Sequence, residues 1–353
     1  MPPQVSVFIA SYNAPKFVGL ACRSILGQTF RDLELVVVDD GSEGQTRSVL
    51  RDLARRDQRL HLVEAAHRGQ IETLNHAVSL CRGEYIARLD HDDVAYPHRI
   101  ERQVAYLNAH PDVLAIGSLV GKIDVNGRRK ATPHHTIGNR KTEPTSRPPR
   151  VLFLMGPTLM ARANALKAVG GFRPKLRAAE DRDISWRLAA LGRTENLPEI
   201  LIDHRDHEGS LGLTECRTQT FASLISDLSA IANHFGKDDR EALSLVDVGN
   251  DYVTAIRGYE ELLVRLYPVK TLVLLHFAKP RFLRLNSTRG LASLCGEIAK
   301  HTLALPWDPF KMRLLMKLPR VAFYEVWGNK SWPGEKSPRS TFSARDAKLR
   351  SRL

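Results

Sequence analysis

Cysteine is scarce in this chain, and the four residues present, Cys22, Cys81, Cys216 and Cys295, are widely scattered. They form no CxxC pair and have no histidine cluster beside them, which argues against a disulfide scaffold and a structural zinc site and fits a reducing cytoplasm. Long apolar runs are also missing. The stretch Thr271 to Ala278 is stopped by Lys279-Pro280, well short of the ~20 residues a membrane-spanning helix needs. Met1-Pro2-Pro3-Gln4 has neither a basic n-region nor an apolar h-region, so no secretory signal is expected. Acid is in deficit: 52 Lys+Arg against 39 Asp+Glu leave a formal charge of +13. That imbalance favours nucleic acid, an anionic membrane surface or phosphorylated substrates as partners. Nucleic acid is the weakest of these, because aromatic-rich strands and a recognisable reading motif are both lacking.

What is present is enough for a sizeable core. With 353 residues, 43% of them hydrophobic, the chain can bury one large core or two modest ones. Strand-like runs alternate with helix-like patterns through the first third: Val5 to Ile9, Leu33 to Val38, Leu60 to Val63 and Tyr85 to Leu89. Between them lie three helix faces, marked by Val18, Ala21, Cys22, Ile25 and Leu26, by Val49, Leu50, Leu53 and Ala54, and by Ile71, Leu74, Ala77, Val78 and Leu80. This order predicts an α/β domain with a Rossmann-like, mostly parallel sheet flanked by helices, whose ligands bind beyond the carboxyl ends of the strands.

Polar motifs stand at those ends. Ala10-Ser11-Tyr12-Asn13 follows the first strand, Asp39-Asp40-Gly41-Ser42 the second, and Asp90-His91-Asp92-Asp93 the fourth. In an extended segment Asp90 and Asp92 point the same way and can share one divalent ion or an ion-bound phosphate. Asp93 faces elsewhere, as a possible cap for a helix opening near Pro97 and running through Ile100, Val104 and Leu107. Residues Gly121 to Pro149 read as a strand-turn-strand excursion with a basic loop, and Val151 to Met160 as a further strand. Asn164 to Val169 reads as a helix ended by Gly170-Gly171, and Glu180-Asp181-Arg182-Asp183 opens another, where acids suit the positive end of the dipole. Beyond Gly212 helix dominates. Residues 212–330 are expected to be a basic helical extension suited to a membrane surface or an acceptor, and 331–353 a disordered basic tail.

Together these blocks resemble the family-2 glycosyltransferases of GT-A fold, the kind that build bacterial cell-envelope polysaccharide and lipopolysaccharide. The resemblance rests on Val5 to Asn13, Val36 to Ser42, Gly83 to Asp93 with its DXD-type acids, and Gly170-Gly171-Phe172 with Ala179 to Asp183. It covers roughly residues 4 to 210, placing the GT-A domain at 1–211. It implies that Asp40 hydrogen-bonds the nucleotide base while Ser11, Tyr12 and Asn13 line its pocket. Asp90 would contact the ribose and share with Asp92 in binding Mn²⁺ or Mg²⁺, His207 of the Arg205-Asp206-His207 element would complete the metal shell or touch phosphate, and Arg68 would touch phosphate. His91 is the spacer. Asp181 matches the general base of inverting members, with Glu180 and Asp183 as rivals. The implied reaction moves a sugar from a nucleotide-diphosphate donor, expected to be a UDP-sugar, to a hydroxyl of a glycan or lipid-linked acceptor. The implied location is cytoplasmic, peripheral on the inner face of the membrane. The alternative is a non-catalytic nucleotide-sugar-binding scaffold of a membrane-associated glycan assembly.

Overall fold

Two strands with no solvent-facing side define the centre of the molecule. In the computed structural model, which describes residues 2–130, 153–209 and a subset of residues between 219 and 244, β1 (Val5–Ser11) and β2 (Leu33–Asp39) are covered on both faces. Both read as near-continuous apolar runs, as buried parallel strands do. They pair in parallel, and β3 (Leu60–Glu64) joins β2 and β4 (Tyr85–Arg88) joins β1 in the same sense. The helices between them are α1 (Val18–Leu26), α2 (Gln45–Arg56) and α3 (Gln70–Leu80).

The sheet then becomes mixed. After β5 (Val94–Ala95) and α4 (Arg99–Ala109) comes the long β6 (Val113–Ile123), followed by β7 (Met160–Arg162), α5 (Ala163–Ala168), α6 (Glu180–Leu191) and β8 (Arg193–Arg205). The eight strands lie in the order β3-β2-β1-β4-β7-β6-β8-β5. Strand β7 is antiparallel to both β4 and β6, β6 and β8 are parallel, and β5 is antiparallel to β8. A short helix, Arg240–Ser244, follows later in the chain.

Alternation along β1 sorts the core into two layers. Val5, Val7 and Ile9 pack with Ala21 and Ile25 of α1, Leu50 of α2 and Ile100 and Leu107 of α4. Phe8 faces the other way, into a layer with Leu74 and Ala77 of α3, Leu166 of α5 and Ile184 and Leu188 of α6. Each Val, Leu, Ile or Phe among them, fully removed from water, contributes on the order of 1.5–3 kcal/mol.

Three expectations change. The expected strand Val151 to Met160 is instead a 3₁₀ turn over Gly156–Thr158 and only then β7, because Pro157 lacks the N–H that a ladder needs. Residues 151 and 152 lie outside the described set. Asp93 caps no helix: α4 starts at Arg99 with His98 before it, and the Asp93 carboxylate accepts the Arg205 N–H at 2.9 Å. The acidic tetrad is a turn rather than an extended segment, since the Asp93 N–H donates to the Asp90 carbonyl at 3.2 Å. No helix among the described residues is long and apolar enough to cross a membrane. The described residues all belong to one unit, Met1–Leu262. The basic loop 131–149 and most of the expected helical extension and tail lie outside the described residues.

Candidate active site

The carboxyl ends of β1 and β2 are level, with Ser11 in register with Asp39. Three loops meet there. Asn13, held at a positive φ of 45°, receives the Ser42 hydroxyl oxygen as acceptor for its N–H at 2.8 Å, and its own Oδ1 accepts the Glu43 N–H at 3.3 Å. Asp40 organises the third loop: its carboxylate accepts the N–H groups of Arg68 at 2.7 Å and Gly69 at 2.9 Å, and lies 2.9 Å from His67 Nδ1. Gly69 has φ of 92°, a conformation that favours glycine. Tyr12 is 45% exposed and stacks on the His67 ring with centroids 4.3 Å apart. His67 was not singled out from sequence; its role depends on Tyr12 coming across from another loop. Ser11 Oγ and both Asp39 carboxylate oxygens are buried with no hydrogen-bond partner among the described residues. Buried polar atoms ordinarily find partners, so this end of the sheet has chemistry suited to a polar ligand.

The tetrad side chains go to four different partners. Asp90 accepts Arg88 Nε at 2.8 Å, and His91 Nδ1 lies 3.2 Å from the Ala10 carbonyl. Asp92 Oδ2 lies 2.9 Å from His207 Nε2. Asp93 is fully buried against His204, 3.1 Å from its Nδ1. Burial works against an ionised Asp92, but His91 and the His207 hydrogen bond outweigh it and hold the carboxyl below its usual range. Burial pushes Asp93 upward, and against the cost of its own burial the His204 ring is raised by Asp93. Phe17 packs beside His207 with centroids 5.0 Å apart and under the Arg205 guanidinium at 4.9 Å.

The donor set for a divalent ion is small. Among the described residues no group of three or more His, Cys, Asp or Glu side chains forms a ready-made metal cage. Asp92 and His207 nevertheless supply a carboxylate oxygen and an imidazole nitrogen in contact. One or two protein ligands are what an ion bound chiefly through substrate phosphates and water requires, so the pair fits Mn²⁺ or Mg²⁺ in that mode.

On the other side of β4, α6 brings its first-turn acids up to Arg88. Glu180 Oε1 lies 2.9 Å from Arg88 Nη1. Asp183 is held by Arg173 at 3.3 Å and Arg187 at 2.6 Å, and is buried. Asp181 differs from both: half-buried, it has no ion pair among the described residues, and its Oδ2 accepts the Gly156 N–H at 3.2 Å. Burial and the neighbouring Glu180 push its carboxyl up to about 7, with Arg88 acting in the opposite direction. The Gly-Gly-Phe block is fixed by Asn75 of α3, which donates to the Phe172 carbonyl at 2.7 Å and accepts the Phe172 N–H at 2.8 Å. A Cβ on Gly171, which has φ of 68°, would lie 2.6 Å from Asn75 Oδ1.

The structure thus brings Ser11, Tyr12, Asn13, Asp40 and the Arg68 backbone to one cluster, Asp92 and His207 to a second, and Asp90 and the start of α6 to Arg88. Arg88 and Gly156 were missed as site residues. The only signal in the sequence is a charged residue ending an otherwise apolar strand run.

Comparison with known proteins bears on the family and the fold. The family model for glycosyl transferase family 2 matches residues 6–170. EpsE of Bacillus subtilis (strain 168), provisionally assigned as a glycosyltransferase, is 32% identical over 209 residues, covering 58% of this chain and 73% of EpsE. Chondroitin synthase of Escherichia coli is 27% identical over 198 residues, which is 56% of this chain and 28% of the synthase. Among solved structures, residues 1–349 of TarS from S. aureus in complex with UDP-GlcNAc superpose with a TM-score of 0.58 at 18% identity, covering 79% of this chain and 88% of that one. The mannosyltransferase PcManGT from Pyrobaculum calidifontis, in complex with GDP-Man and Mn²⁺, gives a TM-score of 0.50 at 18% identity, covering 94% and 89%. At such identities the structures speak for the shared GT-A fold. The mixed sheet, the order of its motifs and the match to EpsE together make this chain a member of glycosyltransferase family 2.

Proposed function

We propose that this glycosyltransferase transfers a sugar with inversion from a nucleoside-diphosphate donor, a UDP-sugar, to a hydroxyl of a cell-envelope glycan or lipid-linked acceptor. Asp181 is the general base. The observation that carries the reading is the contrast among the three acids opening α6: Glu180 and Asp183 are committed to arginines, whereas Asp181 has no such ion pair and its pKa is raised to about 7. A base with a pKa near the working pH combines availability with driving force.

In this mechanism Asp181 takes the proton of the acceptor hydroxyl as that oxygen attacks the anomeric carbon from the face opposite the diphosphate. The bond from the anomeric carbon to the diphosphate oxygen breaks, and its electron pair leaves with the nucleotide. One carboxylate suffices, because a single displacement needs no covalent intermediate. The Ser11 to Asn13 loop, Asp40 and the Tyr12–His67 stack receive the base, Asp90 the ribose, and the exposed Arg68 side chain a phosphate. Asp92 and His207 would hold the divalent ion, whereas Asp90, expected from sequence to share it, is drawn to Arg88 and is not grouped with them among the described residues. When bound, that ion stabilises charge gathering on the diphosphate. Residues 212–330 are assigned to acceptor or membrane-surface binding at the inner face of the cytoplasmic membrane, a role that suits their basic composition.

The test is a panel of nucleotide-sugars assayed for diphosphate release and thermal stabilisation with and without Mn²⁺. A true donor raises Tm with metal and is turned over by wild type but not by Asp92→Ala or Asp181→Ala, with metal-dependent nucleotide binding lost only in the first. Unchanged turnover in both variants rejects the proposal.

A further inference from the structure

Arg88 is the one charged side chain of β4, whose other residues are Tyr85, Ile86 and Ala87, and its side chain is 3% exposed. A guanidinium so placed is tolerable only where its charge is matched. The matching groups come from both halves of the site. Nε donates a hydrogen bond to Asp90 Oδ1 at 2.8 Å, beyond the end of its own strand, and Nη1 lies 2.9 Å from Glu180 Oε1, on the first turn of α6, as an ion pair without hydrogen-bond geometry. The Phe172 ring lies with its centroid 5.7 Å from Cζ. On the remaining side stands Gly156, where a Cβ would lie 2.9 Å from Nη1 and 3.0 Å from Cζ. The N–H of this same glycine donates to Asp181 Oδ2. The guanidinium therefore sits against the peptide unit that holds Asp181.

We infer that Arg88 is a positioning residue for the transfer, linking the donor-side carboxylate Asp90 to the base helix so that Asp181 is set at a fixed place relative to the bound donor. This rests on the transfer reading above and adds to it the residue that couples its two halves. The planar fork suits the task, since its donors face two carboxylates at fixed angles, whereas the three rotatable donors of an ammonium on a flexible stem fix neither direction. The charge has a second effect. Of the charges acting most strongly on Asp181 among the described residues, Glu180 and Asp90 raise its pKa and Arg88 lowers it. Removing Arg88 takes away a positive charge that favours the ionised form of Asp181.

The test uses the full chain and measures diphosphate release from UDP-GlcNAc, UDP-glucose, UDP-galactose and GDP-mannose with Mn²⁺ between pH 5.5 and 9. Wild type is compared with Arg88→Met, Arg88→Lys, Gly156→Ala and Asp181→Asn, with folding followed by circular dichroism. Arg88→Met is expected to lose kcat by about 100-fold, the scale of a roughly 1 Å misplacement, and to shift the acidic limb of its pH profile upward. Arg88→Lys keeps the limb near its wild-type position and recovers only part of kcat, which a role confined to fold stability would not produce. Gly156→Ala keeps every charge and displaces the guanidinium, so it should lower kcat even if Arg88→Met fails to fold. A folded Arg88→Met with wild-type kcat and pH limb overturns the inference, as does a wild-type-like Gly156→Ala where Arg88→Met does not fold. Turnover retained by Asp181→Asn, or absent from wild type with every donor, counts instead against the transfer reading.

Discussion

His207 Nε2 stands 2.9 Å from Oδ2 of Asp92, a contact between residues 115 positions apart in sequence. It joins the loop after β8 to the acidic turn after β4 and supplies the mixed oxygen and nitrogen donors from which a site for a phosphate-bound ion can be built.

If that pair holds the ion, Asp92→Ala and His207→Ala should each weaken Mn²⁺-dependent UDP binding by at least about 10- to 100-fold, the cost of losing an outer-shell partner of a metal ligand. Titration calorimetry with and without Mn²⁺ reads this directly. Equal UDP affinity in both variants and wild type, with metal present, would remove the pair from the metal site.

The raised pKa of Asp181 sets a pH dependence. The base acts only when ionised, so kcat should fall about tenfold per pH unit below about 7 and level off above it. Asp181→Asn should cost about 10²- to 10⁴-fold in kcat and abolish that acidic limb. A pH profile flat from 5.5 to 8 for wild type would exclude Asp181 as the titrating base.

Asp40 holds the His67 to Gly69 turn through two backbone N–H groups and the His67 ring. Asp40→Ala removes hydrogen bonds to a charged acceptor, each worth about 1.5–3 kcal/mol, and frees the partner on which Tyr12 stacks. Denaturant unfolding should reveal a loss of about 3 kcal/mol or more, accompanied by weaker UDP binding. Weaker binding with unaltered stability would mean that Asp40 serves the ligand alone.

Glu34, buried in β2, accepts Ser6 Oγ at 2.5 Å and the Arg82 guanidinium. Burial raises its pKa, but the hydrogen bonds from Arg82 and Ser6 outweigh this and hold the carboxyl below its ordinary value of 4.5. A depressed folded pKa stabilises the protein above 4.5, and this contribution is lost as pH falls through the folded value. Wild-type stability should therefore drop more steeply below pH 4.5 than that of Glu34→Gln, which at pH 7 is expected to be less stable by about 1.5–3 kcal/mol. Parallel acid titrations of the two proteins would reveal the difference, and superimposable curves would refute it.

Local pattern was enough for the parallel half of the sheet. Val5 to Ile9 and Leu33 to Val38 read as strands because buried parallel strands are apolar on both faces, and Leu74 and Ala77 marked the α3 face because helical periodicity survives in sequence. The acidic tetrad was legible as a functional segment, but not in its geometry. The alternation argument for Asp90 and Asp92 needs extended backbone, and the Asp93 N–H closes a turn onto Asp90 instead.

The sequence by itself determined which segments carry acid, where the strands end and to which family the chain belongs, because these depend on residue type and order. Tertiary structure alone decided which acids are neutralised. Glu180 meets Arg88, Asp183 meets Arg187, Asp92 meets His207, and Asp181 meets only backbone N–H groups, those of Gly156 and Arg182, among the described residues. Charge pairing acts over a few ångströms and falls away with distance, so only the fold, which brings β4, the Gly156 turn and α6 together, could set Asp181 apart from its neighbours.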